Sequence, residues 1–289
     1  MDNLVLHDAT KTQVSQFLAS PSHAVLLAGP DGIGKTALGE AIMAQLLQTE
    51  LAKLANHPYI SRLVPNGKSI SIESIRDVQR FLQLKTAGSN TYRRAVLIEH
   101  ADALTTEAQN AYLKLLEEPP ADTIMILTVS SPRALLPTIR SRLQTITVHK
   151  PNETQLQTLL NTHSGDETTK RQAYFLSGGL PGLLSALLSG DQEHPLLTSV
   201  ATAKDILQKQ PFERLSMADV LSKQKETAYG VLEALERIAV SGLSGAAAKQ
   251  DAARIKQWHT IRKHTAAARE ALEKSASTKL TLTNLFLHI

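Results

Sequence analysis

The stretch LLAGPDGIGKTALGE, residues 26–40, decides the fold. It contains the phosphate-binding pattern G-x4-G-K-S/T, formed by Gly29, Pro30, Asp31, Gly32, Ile33, Gly34, Lys35 and Thr36. The apolar run Ala24 to Ala28 before it predicts a buried strand, and the segment Lys35 to Leu47 after it predicts a helix. Glycines let the backbone N–H groups of such a loop turn inward, so that loop and helix N-terminus form a nest for phosphate. Residues 29–36, called the P-loop below, are therefore predicted to bind a nucleotide.

The chemistry of this loop assigns roles to its last two residues. Lys35 is expected to reach the β- and γ-phosphates, and the Thr36 hydroxyl to ligate Mg²⁺. The expected cofactor is ATP or ADP with Mg²⁺. A plain glycine turn before a helix, with no ligand, is the alternative interpretation.

Further along the chain, apolar runs alternate with helical patterns. Ala95 to Ile98 and Ile124 to Val129 are expected to be buried parallel strands. Helices are expected over Ile72 to Leu84 and over Thr106 to Glu118, the second capped by Thr106 with Gln109 reaching back to the cap. This alternation predicts an α/β fold built on an open parallel sheet.

After residue 150 the pattern is helical, and we find no further convincing strand. The breaks fall at residues 164–165, 177–182 and 189–195, where Ser, Gly and Pro concentrate. Three domains are therefore predicted: an α/β nucleotide-binding domain over 1–150, a small helical unit over 151–192, and a helical domain over 193–289. A chain of 289 residues is long enough for two or three such units.

Composition excludes several classes of protein. Hydrophobic residues make up 42% of the chain and charged residues 20%, which is typical of a folded globular protein. The chain has no cysteine, which excludes disulfides, thiolate zinc sites and cysteine nucleophiles. We find no basic leader and no apolar run of about 18 residues, so no membrane association and a cytoplasmic location are expected.

The C-terminal part is the most basic, with 14 Lys and Arg against 9 Asp and Glu from Ala201 to Ile289. Such an excess attracts phosphates or acidic partners. The alternative is a solvated helix face, because acidic residues are interleaved and Trp258 is the only aromatic residue near them. The basic residues concerned are Lys249, Arg254, Lys256, Arg262, Lys263, Arg269 and Lys274.

Several stretches resemble a known family. They are SIESIRDVQRFL (residues 71–82), LLEEPP (115–120), LLPTIRSR (135–142) and STKLTLTNLFLHI (277–289). In order and spacing they are similar to the clamp-loader subunits of bacterial DNA polymerase III, and within that family to the delta-prime type more than to the gamma/tau type. The resemblance extends over nearly the whole chain.

This resemblance implies an AAA+ domain, a helical lid over 151–192 and a helical collar over 193–289 through which subunits assemble. It implies gamma/tau and delta subunits as partners, with the sliding clamp and primed DNA reached through the complex. Gamma-type subunits carry a four-cysteine zinc module, whereas this chain has no cysteine. Zinc is therefore not an expected cofactor.

Two positions depart from the pattern of a working ATPase. The family carries Asp and Glu after the third strand, where this chain has Glu99 and His100. Glu99 still suits Mg²⁺, whereas His100 is no substitute for a carboxylate base, because its neutral form is a weaker base and its protonated form repels the metal. Pro181 stands where the lid normally supplies an arginine that senses the γ-phosphate. The resemblance thus implies nucleotide binding with slow or absent turnover.

Two polar residues match functional positions of the family. Arg142 corresponds to the arginine finger that reaches the nucleotide of a neighbouring subunit, and Ser130 to the first sensor residue. The alternatives are that Arg142 pairs with a surface carboxylate, that Ser130 only forms a turn, and that His100 is a loop residue without catalytic function.

Three functions follow, in this order. The first is an ATP-binding, weakly hydrolytic clamp-loader subunit of delta-prime type that donates Arg142 in trans. The second is a gamma/tau-type ATPase motor of the same complex, which Lys35, Thr36 and Glu99 permit. The third is a DNA-binding repair scaffold that uses the basic C-terminal helices, for which no groove-reading module is visible. Whether the chain is itself an enzyme is left open.

Overall fold

The chain divides into two compact units, Met1–Gln155 and Leu156–Ile289. The computed structural model describes residues 4–67, 69–163, 166–189 and 195–289. The first unit ends close to the predicted boundary at residue 150. The predicted lid–collar boundary at 192–193 lies outside the described residues, as do the predicted break at 164–165 and most of the one at 189–195. The three-domain division therefore stays a prediction.

The first unit is built on a sheet of five parallel strands in the order β2-β3-β4-β1-β5. The predicted strands are present, and every residue of β1, β3 and β4 is buried. Strands β2 and β5 were not predicted, because they are short edge strands with mixed polar and apolar residues. The strands are β1 (Ala24–Ala28), β2 (Ile60–Leu63), β3 (Arg94–Ile98), β4 (Thr123–Val129) and β5 (Gln144–Thr147).

In the described part of the first unit, five α-helices accompany this sheet. Three were predicted within two residues of their ends, since their apolar faces pack on buried strands. They are α1 (Asp8–Ala19), α2 (Lys35–Leu46), α3 (Ile72–Leu82), α4 (Thr106–Glu117) and α5 (Pro137–Arg140).

The cap of α4 differs from the prediction. Thr105, not Thr106, is the N-cap residue, and its hydroxyl accepts a hydrogen bond from Ala108 N at 3.2 Å. Gln109, which was expected to reach back to the cap, instead donates to Leu104 O at 3.2 Å and accepts from Leu136 N at 2.8 Å. This buried amide is better satisfied between two loops than at the helix end, and it ties α4 to the segment that leads into α5.

The second unit is helical, and among its described residues there is no strand. Its helices are α6 (Glu153–Thr162), which begins in the last residues of the first unit, α7 (Glu167–Ser177), α8 (Pro181–Ser189), α9 (Pro195–Gln208), α10 (Pro211–Leu221), α11 (Lys225–Ala248), α12 (Ala252–Glu273) and α13 (Thr278–His288).

Helix α11 provides the centre of this unit's core. Its apolar stripe of Val231, Leu235, Ile238 and Ala239 is buried, and α11 packs against α7, α9 and α12. Phe286 of α13 is fully buried in the same core. In the part of the chain that the structure describes, no helix combines the length and the hydropathy needed to cross a membrane.

Candidate nucleotide-binding site

The P-loop connects the end of β1 to the start of α2 at the carboxyl edge of the sheet. Gly32 and Gly34 have φ angles of 76° and 96°, which glycine adopts far more readily than other residues. Gly34 is the N-cap of α2, and no side chain caps this helix. Its first N–H groups therefore point into the loop without a side-chain acceptor, an arrangement that fits an anionic phosphate.

Gly29 packs closely against the backbone at the ends of β4 and β5. Its N–H donates to Val129 O at 3.1 Å, and Val148 N donates to Ala28 O at 2.7 Å. A Cβ at position 29 would lie 2.7 Å from Val148 O, closer than real Cβ atoms approach a backbone oxygen. A residue without a side chain is therefore required here, and the loop lies directly against the end of β5.

Lys35 is buried at the centre of the loop, with 5% of its side chain exposed. Its Nζ donates to Gly29 O at 2.7 Å, Pro30 O at 3.1 Å and Asp31 Oδ1 at 2.9 Å. The ammonium charge is thus fixed beside the backbone N–H groups that would surround a phosphate.

Asp31 is the meeting point of the predicted site residues. Its Oδ1 accepts from Ser130 Oγ at 2.7 Å and lies 3.9 Å from His100 Nδ1. Burial raises the pKa of Asp31, but the hydrogen bond from Ser130 and the charge of Lys35 outweigh burial and hold the pKa below its usual value. Asp31 was predicted only as one residue of the loop, although its position four residues before Lys35 was a signal for this ion pair.

Thr36 and Glu99 form a second contact at the site. The Thr36 hydroxyl donates to Glu99 Oε2 at 2.8 Å, and Glu99 comes directly after β3. A hydroxyl and a carboxylate at this distance supply the oxygen ligands that Mg²⁺ prefers. The two residues predicted to bind the metal are thus adjacent.

His100 follows Glu99 in a left-handed conformation, with φ 49° and ψ 53°. Its backbone N–H donates to Thr128 Oγ1 at 3.0 Å, which ties the turn after β3 to β4. About half of its side chain is exposed, on the side of Asp31. An imidazole therefore stands at the rim of the site, at the position where the resemblance implies a carboxylate.

Arg142 is not part of this cluster. Its guanidinium donates to Thr138 O at 3.0 Å and to Glu117 Oε1 at 2.9 Å, and 37% of its side chain is exposed. Glu117 belongs to the LLEEPP stretch and Arg142 to LLPTIRSR, so two of the four stretches that carry the resemblance meet at this ion pair. Pro181 is the first residue of α8 and is buried in the second unit.

The parallel sheet, the P-loop after its inner strand β1 and the polar residues after β3 and β4 define a P-loop protein of the AAA+ class. Solved structures agree on the fold. A DNA polymerase III gamma subunit-related protein from Thermotoga maritima aligns with a TM-score of 0.52 at 19% identity, covering 96% of this chain and 97% of that one. A mutant of RuvB from the same organism aligns with a TM-score of 0.50 at 16% identity, covering 70% of this chain and 66% of that one.

Residues 11–152 match the family model described as DNA polymerase III, delta subunit. The chain is 40% identical to the DNA polymerase III subunit delta' of Pseudomonas aeruginosa over 43% of this chain and 42% of that one. It is 32% identical to the subunit delta' of Escherichia coli over 64% of this chain and 60% of that one. The chain thus spans 42% and 60% of the length of these two curated relatives. The chain is thus similar to bacterial DNA polymerase III subunits of the delta-prime type, and the predicted resemblance is confirmed.

Proposed function

We propose that this chain is an ATP-binding subunit of the clamp loader of the replicative DNA polymerase, which helps to load the sliding clamp on primed DNA and hydrolyses little or no ATP itself. The observation that carries the proposal is the contrast within one site. Lys35, Thr36 and Glu99 are arranged for phosphate and Mg²⁺, whereas His100 stands where a carboxylate base is needed.

The nucleotide would be held by the P-loop. The N–H groups at the start of α2 and the Lys35 ammonium would bind the phosphates, and Thr36 with Glu99 would hold Mg²⁺. ADP fits the same cradle as ATP, because most of these groups address the β-phosphate and the metal.

Weak hydrolysis is expected because two groups that would position water and stabilise charge are replaced in this chain. Phosphoryl transfer depends almost entirely on such positioning. His100 supplies no carboxylate, and Pro181 supplies no guanidinium from the start of α8. Ser130, proposed as the first sensor, donates to Asp31 beside Lys35, and this position supports the assignment.

Arg142 is proposed to act on the nucleotide of a neighbouring subunit. It lies away from the chain's own P-loop and remains partly exposed. Its ion pair with Glu117 joins two half-exposed side chains, and such pairs contribute about 0–1 kcal/mol. Release of Arg142 toward a neighbour's phosphate therefore costs little.

Assembly with gamma/tau and delta subunits is proposed to use the second unit. Phe212 of α10 and Leu280 of α13 are 81% and 70% exposed, and these two helices pack against each other. Large apolar side chains left exposed on neighbouring helices are typical of a protein interface. Val220 of α10 and Leu287 of α13 are also exposed.

The isolated chain is expected to bind Mg·ATP without steady-state turnover. Binding would be followed with a fluorescent ATP analogue and turnover by phosphate release from the same preparation.

The gamma/tau type is the second candidate, favoured by 34% identity to the subunit tau of Bacillus subtilis over 47% of this chain. Robust turnover by the chain alone, abolished in Lys35→Ala, would establish that second candidate and contradict the first.

Asp31→Asn is expected to raise the affinity for ATP, by about tenfold or less. The Asp31 carboxylate competes with a γ-phosphate for the Lys35 ammonium and repels it. Asparagine keeps the size and can still accept the hydrogen bond from Ser130.

The matched control for this prediction is Ser130→Ala, which removes the hydroxyl partner of Asp31 but leaves the carboxylate charged. Its effect on affinity is expected to be much smaller. The fluorescent-analogue titration measures both variants, and weaker binding by Asp31→Asn than by the parent chain would show that Asp31 assists the phosphate instead of competing with it.

A further inference from the structure

The second unit contains an open cavity of about 340 Å³, bordered by α7, α9, α11 and α12. Leu176, Ile238 and Trp258 supply apolar wall, and Gly242 and Gly245 of α11 form part of its lining. The volume is at the lower end of the range for ligand pockets in proteins, so it has room for about one large side chain of a partner.

The cavity depends on the glycines of α11. A Cβ at Gly242 would lie 2.3–2.4 Å from the atoms shared by the two rings of Trp258, so the indole lies with one face against the bare helix backbone. A Cβ at Gly245 would meet no atom within 4 Å. Gly242 therefore lets the indole of Trp258 pack directly on the backbone of α11, and Gly245 leaves open space on the same helix.

Three cationic side chains lie around this apolar wall. They are Lys204 of α9, Lys249 directly after α11 and Arg254 in the first turn of α12. Among the described residues, no carboxylate lies within ion-pair distance of Lys204 or Lys249, while Arg254 Nε lies 3.4 Å from Asp251 Oδ2. The lining contains no acidic residue. The cavity thus combines an apolar wall with a rim on which two of the three cationic side chains have no carboxylate partner among the described residues.

We propose that this cavity binds an acidic peptide segment of a partner protein that carries one bulky apolar side chain. The apolar side chain would enter the cavity beside Trp258, and carboxylates on either side of it would meet Lys204, Lys249 and Arg254. Charge complementarity selects such a segment and orients it. The inference concerns the second unit alone and does not rest on the function proposed for the P-loop.

A single-stranded nucleic acid fits this cavity less well. Stacking of bases needs an accessible aromatic face, whereas one face of the Trp258 indole is covered by Gly242 and the side chain is partly buried. The cavity also has room for little more than one side chain and offers no groove along which a strand would run.

The test uses the full chain and a fluorescein-labelled Asp-Asp-Phe-Asp-Asp peptide, followed by anisotropy. Binding is also expected to change the emission of Trp258, which is the only tryptophan of the chain. The peptide with Gly in place of Phe is expected to bind at least about tenfold more weakly, since burial of an aromatic side chain is lost. An unlabelled oligothymidylate is expected not to compete.

Two variants locate the binding to the cavity. Lys204→Glu combined with Lys249→Glu is expected to weaken binding by about tenfold or more, whereas Lys256→Glu, an equal charge change per site on the exposed face of α12, is expected to leave it within about twofold. Gly245→Leu, which suits a helix better than glycine, is expected to block the cavity.

The proposal would be overturned by equal binding of the Phe and Gly peptides, or by equal effects of the cavity and Lys256 variants. Competition by the oligothymidylate with loss in the same lysine variants would assign the surface to nucleic acid instead. Circular dichroism and thermal melting of each variant separate a lost contact from a lost fold, and Gly245→Leu with native melting and native peptide affinity would also contradict the proposal.

Discussion

Replacing Arg142 with alanine is expected to lower the clamp-dependent ATP turnover of a complex reconstituted with gamma/tau and delta subunits about a thousandfold. An arginine that stabilises the charge on a transferring phosphate contributes on that order or more. The isolated chain is expected to bind ATP with unchanged affinity, because Arg142 makes no contact with its own P-loop. Steady-state phosphate release by the complex is the measurement.

Two control variants separate an arginine finger from a structural role. Arg140→Ala removes an exposed arginine two positions away and is expected to leave turnover nearly unchanged. Glu117→Gln weakens the ion pair of Arg142 while keeping the guanidinium, so turnover should be retained. If Glu117→Gln lowered turnover as much as Arg142→Ala, the ion pair itself would be the important feature and the trans role would be wrong.

Replacing Lys35 with alanine is expected to weaken ATP binding about a hundredfold. The substitution removes charge-assisted hydrogen bonds to the phosphates, each contributing about 1.5–3 kcal/mol. It also leaves the Asp31 carboxylate beside the phosphates without its cation. Titration with a fluorescent ATP analogue measures the loss, which should be larger for ATP than for ADP, because Lys35 also addresses the γ-phosphate.

Folding of the Lys35 variant is expected to remain intact. Asp31 is about half exposed and stays solvated when its partner is removed. Lys53→Ala is the matched control, since this lysine pairs with Glu50 on the surface and should not affect binding. A Lys35 variant that melts normally and binds ATP like the parent would contradict the proposed cradle.

The buried parts of the fold could be predicted from the sequence. Strands β1, β3 and β4 were visible as apolar runs, because parallel strands covered on both faces contain almost only apolar residues. The edge strands β2 and β5 were not, since ISRL and QTIT carry little apolar signal and depend on pairing with β3 and β1. The cap of α4 was misplaced by one residue because Thr105 and Thr106 are equally good capping residues in sequence.

The residues of the P-loop could be predicted from the sequence, but the side-chain contacts between distant parts of the chain could not. The P-loop motif identified residues 29–36, and the position of Glu99 after a strand placed it at the same edge of the sheet. The contact of Ser130 with Asp31 joins residues 99 positions apart, and no local pattern encodes such a distance. The pairing of Arg142 with Glu117 likewise depends on the approach of α4 to the loop before β5, which only the folded chain provides.

The close contact between the backbone of Gly29 and Val148 has a consequence for how phosphate binding would affect the neighbouring strand β5. The backbone of the P-loop touches Val148 so closely that a methyl group has no room between them, and the chain passes from Val148 to the second unit within a few residues. We therefore expect a shift of the loop on phosphate binding to displace Val148. The backbone at the end of β5 would then respond to the bound nucleotide even without hydrolysis of ATP.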